Sequence, residues 1–491
     1  MAAGMDITGQ SSEARFVEYV ESLTQELGHA DRARPFREYC TGLLMPGERK
    51  SVEPIAAIVA PARVSAEHQS LLHFIGQAPW SDEALLDSVR SLVLPSIEAS
   101  GPIEAWIVDD TGFAKKGVHS VGVARQYCGR LGKTDNCQIA VTLSLANHAA
   151  SLPVAYRLYL PEDWAGDAAR RKKARVPDDV IFKTKPDMAL DQIKAALASG
   201  APKGVVLADA AYGTNGAFRA ALTAMGLVYA VGVQSNTGVW APGVDPIGSR
   251  DAIRHGSLLP AKQWRGRGRK PSRARHGEGH RPVSVKTLAM NLPASAWSEV
   301  TWREGSNGSL ASRFAAVRVR PAARSDKGEG RAPEEWLLVE WPEGEKEPAK
   351  YFFSTLPEDM ALDALVDITK LRWRIERDYE ELKSELGLAH FEGRSWRGFH
   401  HHATLCIAAY GFLIRERAAF PPSGAISREK SRLSTSPRRR GSPDPARTPR
   451  RKLDRDSPQN AHDGAGEIAV SMSMLSARQT KINVSSALVT Q

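Results

Sequence analysis

The chain has 491 residues, of which 42% are hydrophobic and 25% charged, a composition typical of a globular protein with two or three domains. Its formal net charge of +10 makes a polyanion such as nucleic acid the first partner to test. Four widely separated cysteines argue against a disulfide framework or a zinc finger, and no segment resembles a signal peptide or a membrane span, so we expect a cytoplasmic protein with no membrane partner.

Residues 1–99 are predicted to form a small helical domain. Phe16, Val20 and Leu23 recur at helical spacing, and Ser81 followed by two acidic residues is a typical helix start. DNA binding by this domain and simple helix packing explain the segment equally well.

Residues 100–233 change from β-rich to alternating patterns. Several apolar runs separated by Gly and polar turns predict strands: 103–113, 120–127, 137–147, 152–160, 203–213 and 227–233. Helical patterns lie between the later runs. Strands followed by alternating helix and strand predict a mixed α/β sheet.

Residues 234–349 interrupt this pattern with Gly, Pro and Arg-rich sequence and further strand-like runs, among them VSVKTLAMNL, SEVTWRE, RFAAVRVRP and EWLLVEWP. We interpret them as an inserted β-rich subdomain. Helix is predicted again within residues 350–420, from about Ala361 to Leu388 and from His400 onward. Residues 421–491 hold 13 Lys and Arg against 6 Asp and Glu and are rich in Ser and Pro, so we predict a disordered basic tail.

Three aspartates follow apolar strands. Asp109 and Asp110 end the run AWIVDD, and Asp209 ends VVLAD. Carboxylates at strand ends are held rigidly where ligands of α/β sheets commonly bind, and oxygen ligands are those that Mg²⁺ prefers. Each of them, however, is also a common turn or helix-cap residue.

The segment LRWRIERDYEELKSELGL, residues 371–388, is highly charged but has an apolar stripe at helical spacing. Arg372, Glu376 and Lys383 form a polar stripe directly beside it. Glu376 would therefore border the buried face, and Arg372 and Lys383 could contact DNA phosphates on either side of a metal ion bound by Glu376. An ordinary Arg–Glu pair one helical turn apart is the alternative explanation.

The frame of Arg372, Glu376 and Lys383 resembles the YREK signature of DDE transposases, the insertion-sequence enzymes with an RNase H-like catalytic core. The Tyr of the signature falls at Thr369, where this sequence differs. In that family the first acid is often followed by Thr or Ser, which selects Asp110 over Asp109, and the second matches Asp209. In that family an insertion also precedes the helix that carries the glutamate, and residues 234–349 lie in the same place before the helix of Glu376, here called the glutamate helix.

The resemblance implies a function and a cofactor. Asp110, Asp209 and Glu376 would bind two Mg²⁺ ions, with Mn²⁺ able to substitute. The enzyme would cleave the ends of an insertion sequence and join them to target DNA, mostly by cut and paste. Its partner would be double-stranded DNA, including the terminal inverted repeats. A homodimer on DNA, associated with the bacterial nucleoid, is also implied.

Further residues are candidates for DNA contact. Arg125, Arg130 and Lys133 lie in a loop between predicted strands, and Lys115 closely follows the first acids. A solvated hairpin explains these cations about as well. Related transposases hold a flipped base with an aromatic residue of the insertion, for which Trp302 is a candidate, although core packing is the commoner role of a tryptophan.

Two other functions remain open from the sequence. The chain could be a metal-dependent endonuclease without strand transfer, or a non-catalytic DNA-binding protein derived from a transposase. The three consecutive histidines at 400–402 do not predict a metal site, because neighbouring helical residues point about 100° apart. We expect them at a helix start near DNA or solvent.

Overall fold

The computed structural model describes residues 10–244, 258–259, 266, 275–276, 281–305, 308–322 and 332–421. The predicted disordered tail lies outside the described residues from 422 onward.

Helices form the N-terminal part of the chain, where the sequence predicts them. They are α1 (Ser12–Thr24), α2 (Ala33–Leu44), α3 (Val52–Val59), α4 (Val64–Gly76) and α5 (Asp82–Glu98). The side chains of Ser11 and Ser81 cap α1 and α5 by accepting hydrogen bonds from backbone N–H groups in the first turn. Lys50, near the start of α3, is buried and donates to the carbonyl of Met45 at 2.7 Å.

A mixed sheet follows. Its strands are β1 (Ala105–Ala114), β2 (Ala124–Cys128), β3 (Lys133–Ala146), β4 (Ser151–Leu158), β5 (Val205–Ala208) and β6 (Tyr229–Val233). The helices between them are α6 (Glu162–Ala165), α7 (Ala168–Ala174), α8 (Lys185–Ala198), α9 (Ala210–Gly213) and α10 (Gly216–Ala224). Strands β4, β3, β1, β5 and β6 lie side by side, with β1, β5 and β6 parallel to one another and β3 antiparallel to β1, β4 and β2. The expected RNase H-like mixed α/β fold is confirmed.

Most strands of the β-rich insertion extend the same sheet, and two strands of two residues each pair with one another as a separate sheet. It contributes β7 (Gly238–Trp240), β8 (Leu258–Leu259), β9 (Arg275–His276), β10 (Val283–Ser284), α11 (Val285–Met290), β11 (Ser298–Gly305), β12 (Gly308–Pro321) and β13 (Glu335–Trp341), and β14 (Lys350–Ser354) follows. Strand β14 pairs with β6 and β13, and the order continues through β12 and β7 to β10. The prediction of a strand at VSVKTLAMNL was wrong beyond Ser284, whose side chain caps α11 by accepting from the Thr287 N–H.

The helix predicted from Ala361 to Leu388 is divided into α12 (Leu362–Lys370) and α13 (Trp373–Ser384). Between them the backbone hydrogen bonds tighten: Arg374 donates to Leu371 at 3.1 Å and Ile375 donates to Arg372 at 3.2 Å, both three residues back. Such 3₁₀-type bonding within a helical run commonly marks a functional position. The signature residue Arg372 lies at this tightening.

The last described helix, α14 (Trp396–Ala419), is buried and packs against α2, α4, α5 and β4. The expectation that the three histidines face DNA or solvent was wrong: His400, His401 and His402 are all buried. Burial lowers the pKa of His400 to about 3 and that of the other two to about 4, so they are neutral core residues. In the part of the chain that the structure describes, none of the helices is long and apolar enough to cross a bilayer.

Candidate active site

The register of two parallel strands brings two aspartates together. On β1 and β5, Ile107 lies opposite Leu207, so Asp109 on β1 and Asp209, which directly follows β5 with an extended backbone, come two residues later. Side chains two residues apart in a strand point to the same face. Ile107 and Leu207 pack against Ile375 of α13. Asp109 and Asp209 therefore lie at the sheet face that α13 covers.

Asp110 points away from this face, because consecutive side chains of a strand alternate. Its carboxylate forms an ion pair of 2.5 Å with Lys185, the first residue of α8. Asp109 instead bonds to Arg372, at the start of α13. The geometry therefore favours Asp109 as the first acid of the site, where the sequence interpretation selected Asp110.

The turn that carries Asp209 is held by close backbone contacts. Asp209 caps α9 by accepting from the Ala211 N–H at 2.9 Å, which is the structural role that the sequence left open for it. A Cβ on Gly232 of β6 would lie 2.9 Å from the Ala210 nitrogen, and one on Gly213 would lie 2.1 Å from the Gly232 carbonyl oxygen. Only glycine lets the turn approach β6 this closely.

Arg372 links the sheet to the glutamate helix. Its Nη1 donates to Asp109 Oδ2 at 2.8 Å, and its Nη2 donates to Glu376 Oε1 at 2.9 Å. The Glu376 side chain is 65% exposed, against 15% for Asp109. The site thus has a largely buried acid on the strand and an accessible acid on the helix, joined by one guanidinium.

The charges of this cluster act on one another. Burial raises the pKa of Asp109 to about 7; Arg372 opposes this effect, and the negative charges of Asp209 and Asp110 add to it. Burial works against the charged form of Arg372 as well, but Asp109, Glu376 and Asp209 outweigh it and raise the Arg372 pKa. The acids are thus close enough to interact, and a positive charge between them is favourable.

The donor set suits a hard divalent cation, since the carboxylates of Asp109, Asp209 and Glu376 supply only oxygen ligands. In the described residues, however, no group of three or more Asp, Glu, His or Cys side chains converges closely enough to hold an ion. The guanidinium of Arg372 lies between Asp109 and Glu376. A cation at this position would have to compete with it.

Comparison with known proteins identifies the family. A family model described as "DDE superfamily endonuclease" matches residues 22–309, which is more than half of the chain. The chain belongs to this family. The match includes Asp109 and Asp209 and ends before Glu376. The prediction of a DDE-type enzyme is confirmed, and DDE superfamily endonucleases use divalent metal ions.

A curated relative of this DDE endonuclease is the "Probable transposase for insertion sequence element IS701" of Microchaete diplosiphon. The two are 33% identical over 202 residues, which cover 41% of this chain and 49% of the relative. The chain thus spans about half the length of the curated relative that it matches.

Aromatic and hydroxyl groups form the base of the site. Thr142 of β3, opposite Asp109, hydrogen-bonds to the hydroxyl of Tyr379. Tyr379 is buried beside Asp109 on the apolar stripe of α13. Its apolar spacing in the sequence predicts burial but gives no sign of this contact. Lys383, one turn further, donates to the Gly112 carbonyl at 3.1 Å and so lies against β1.

The other predicted DNA contacts differ in accessibility. Arg125 and Lys133 are exposed on the β2–β3 hairpin, where Lys133 pairs with Asp135 at 3.1 Å. Lys115 is partly buried and donates to the Phe391 carbonyl at 2.9 Å, and burial lowers its pKa. The side chain of Arg130 lies outside the described part of the chain.

Trp302 is half-buried and packs against the apolar cluster beneath α12. The ammonium of Lys370 lies 4.4 Å from the centre of its ring. Trp302 therefore has the core-packing role that the sequence analysis gave as the alternative to base contact. Its neighbour Arg303, which the sequence interpretation did not select, lies 4.2 Å above the ring of Trp373 on α13 and brings the insertion to the glutamate helix.

Proposed function

We propose that this DDE endonuclease is a DNA transposase, which cleaves the ends of an insertion sequence and joins them to target DNA by cut and paste. The observation that carries the proposal is the placement of Asp109 on β1 and of Asp209 directly after the neighbouring parallel strand β5, with Glu376 linked to Asp109 through Arg372. The similarity to a protein named as a probable insertion-sequence transposase supports it.

Asp109, Asp209 and Glu376 would hold two Mg²⁺ ions, for which Mn²⁺ would substitute. The bound ions would supply an activated water or 3′-hydroxyl and stabilise the leaving oxygen of the DNA phosphate. The protein's part is to hold the acids: Asp209 is fixed by its cap on α9, and Asp109 by β1. Asp110, paired with Lys185, supports the strand from the opposite face.

Cations around the acids would contact the DNA. Lys383 lies against β1 beside the acids, and Arg125, Arg130 and Lys133 belong to the adjoining hairpin region. Contacts of this kind supply salt-dependent affinity without reading sequence. Lys115 and Trp302 are less accessible, so we assign them secondary roles in DNA contact. Cutting two ends together would require a homodimer on the DNA.

Mg²⁺-dependent cleavage of a duplex carrying the element's end tests the assignment. Asp209→Asn and Glu376→Gln should each abolish cleavage while DNA affinity stays near that of the unmodified protein. Glu380→Gln changes an exposed acid one turn along the same helix and is the matched control. Unchanged cleavage by Glu376→Gln would contradict the assignment of Glu376 to the catalytic acids.

Strand transfer is tested separately. Pre-cut ends with a free 3′-hydroxyl should be joined to a second duplex in the presence of Mg²⁺. Cleavage without joining would identify a metal-dependent endonuclease. DNA binding with neither reaction would identify a non-catalytic protein derived from a transposase.

A further inference from the structure

Arg372 divides its hydrogen bonds between two acids from different elements. One terminal nitrogen bonds to Asp109 on β1 at 2.8 Å, and the other bonds to Glu376 on α13 at 2.9 Å. An arginine often gives both nitrogens to a single carboxylate. Here the rigid, planar guanidinium instead sets the distance between an acid of the sheet and an acid of the helix.

The backbone of Arg372 is itself fixed. It lies at the tightened turn between α12 and α13, where Ile375 donates to its carbonyl at 3.2 Å. The preceding residue, Leu371, is buried and packs in the same apolar cluster as Ile107 of β1. Arg372 is therefore anchored to the strand that carries Asp109, and its side chain reaches the acids from a defined position.

Two neighbouring lysines bond elsewhere and do not link Asp109 to Glu376. Lys185 bonds to Asp110 at 2.5 Å on the other face of β1, and Lys383 bonds to the Gly112 carbonyl at 3.1 Å. Asp109, Asp209 and Glu376 all act electrostatically on Arg372. These are the same acids that the proposed function assigns to the metal ions. Their mutual repulsion within a partly buried site would be costly without a positive charge among them.

We propose that Arg372 is a positioning residue, which holds Asp109 and Glu376 in their working arrangement until a divalent cation binds and takes over the same carboxylate oxygens. The inference rests on the proposed function for the identity of the metal ligands. Arg372 thus stabilises the metal-free protein and competes with the cation. Once the cation is bound, the guanidinium is available for a DNA phosphate.

Mn²⁺ alone, with free ion measured by electron paramagnetic resonance, tests the competition in the full chain. Arg372→Gln should bind Mn²⁺ about tenfold more tightly than the unmodified protein. Arg372→Lys keeps the positive charge but loses the planar, forked guanidinium. Its Mn²⁺ affinity should therefore fall between that of Arg372→Gln and that of the unmodified protein. Arg377→Gln is the matched control, because Arg377 lies on the same helix and bonds to Glu381 at 3.1 Å.

Thermal unfolding in EDTA gives a second readout. The midpoint of Arg372→Gln should fall below that of Arg377→Gln, and Mn²⁺ added in excess of the EDTA should restore most of the loss. A merely structural arginine would lower the midpoint without raising metal affinity. If Arg372→Gln does not fold, the affinity of Arg372→Lys decides, and a value equal to or below that of the unmodified protein overturns the inference.

Asp109→Asn separates this inference from the proposed function. Loss of Mn²⁺ binding in Asp109→Asn, together with no gain in Arg372→Gln, refutes the role of Arg372 and leaves the metal site in place. Mn²⁺ binding that is absent from the unmodified protein, or unaffected by Asp109→Asn, refutes the metal site and with it the proposed function.

Discussion

Two adjacent aspartates have opposite environments because a strand alternates its side chains. Asp109 lies at the face under α13, and Asp110 lies at the face under α8. The sequence predicts an acid at this strand end, but not which face the glutamate helix covers, because that depends on packing between segments more than 260 residues apart. The family preference for Thr after the acid selects Asp110, which bonds to Lys185, whereas Asp109 bonds to Arg372.

Cleavage by Asp109→Asn and Asp110→Asn should therefore differ. We expect Asp109→Asn to reduce Mg²⁺-dependent cleavage by about a thousandfold, because it removes a negative charge that would stabilise the ions. Asp110→Asn should remain within about tenfold of the unmodified protein, since it breaks a partly exposed pair with Lys185. The reverse order of activities would restore Asp110 as the first ligand.

The raised pKa of Asp109 predicts a pH dependence of stability. Its pKa is about 7 in the folded, metal-free protein, above the ordinary value of 3.8, so the folded state binds the extra proton between these limits. The stability from this group is complete below about pH 4 and is lost as the pH rises through about 7. Urea unfolding in EDTA at several pH values should show this decline in the unmodified protein.

Asp109→Asn is the control for that decline, because its amide does not titrate. Burial also raises the pKa of Asp378 to about 7, but Asp378 is present in both proteins and its effect cancels in the comparison. Parallel stability curves for the two proteins would contradict the assignment.

At the scale of elements, the strands of the core were largely predictable, because apolar runs between Gly and polar turns mark them directly. The division of the glutamate helix into α12 and α13 could not be predicted from the sequence. The tightening at Leu371 and Arg372 leaves the apolar spacing intact, so the sequence pattern continues across it. Likewise, α11 lies within a strand-like run, and its start is capped by the Ser284 side chain, which accepts from the Thr287 N–H.

Thr369, the position that differs from the signature, is buried on α12 and donates to the Leu365 carbonyl at 2.6 Å. Restoring the Tyr of the signature should therefore destabilise the protein by about 1–3 kcal/mol, because a large ring must enter a packed site. Urea unfolding of Thr369→Tyr measures this, with Thr369→Ser as the control that keeps the hydroxyl. Equal stability would show that the packing opens readily.

Gly232 allows the Asp209 turn to lie against β6. Gly232→Ala should lower both stability and cleavage, because the new Cβ would meet the Ala210 nitrogen at 2.9 Å and the backbone of Asp209 at 3.1 Å. Gly216→Ala is the matched control, since its Cβ would meet only the end of Arg219 at 3.9 Å. Full cleavage by Gly232→Ala would show that the position of Asp209 is not critical.

For the whole molecule, the N-terminal helices and the sheet share one continuous apolar core. Phe16 of α1 contacts Phe412 of α14 with ring centres 5.0 Å apart, and Tyr19 donates to the Ala408 carbonyl at 2.9 Å. Glu416 accepts from Arg15 Nη2 at 2.6 Å. The sequence predicts helices here but could not reveal that α14, from the far end of the described chain, completes their packing.

A chain that begins at residue 100 should therefore not fold stably, because the apolar face of α14 would lose its cover. Circular dichroism and thermal unfolding would show reduced helix and no cooperative transition. A cooperative transition at the temperature of the full chain would instead establish residues 1–99 as an independent domain.

The pairing of β14 with β6 has a mechanical consequence. Because the strands of the insertion are hydrogen-bonded into the sheet that carries Asp109 and Asp209, β6, β14 and β13 form one continuous hydrogen-bonded ladder. A DNA duplex that contacts both the insertion and the acids would therefore meet two surfaces held at a fixed distance from each other. The bending needed to fit it would then fall on the DNA, and stiff and flexible end sequences would be cut at different rates.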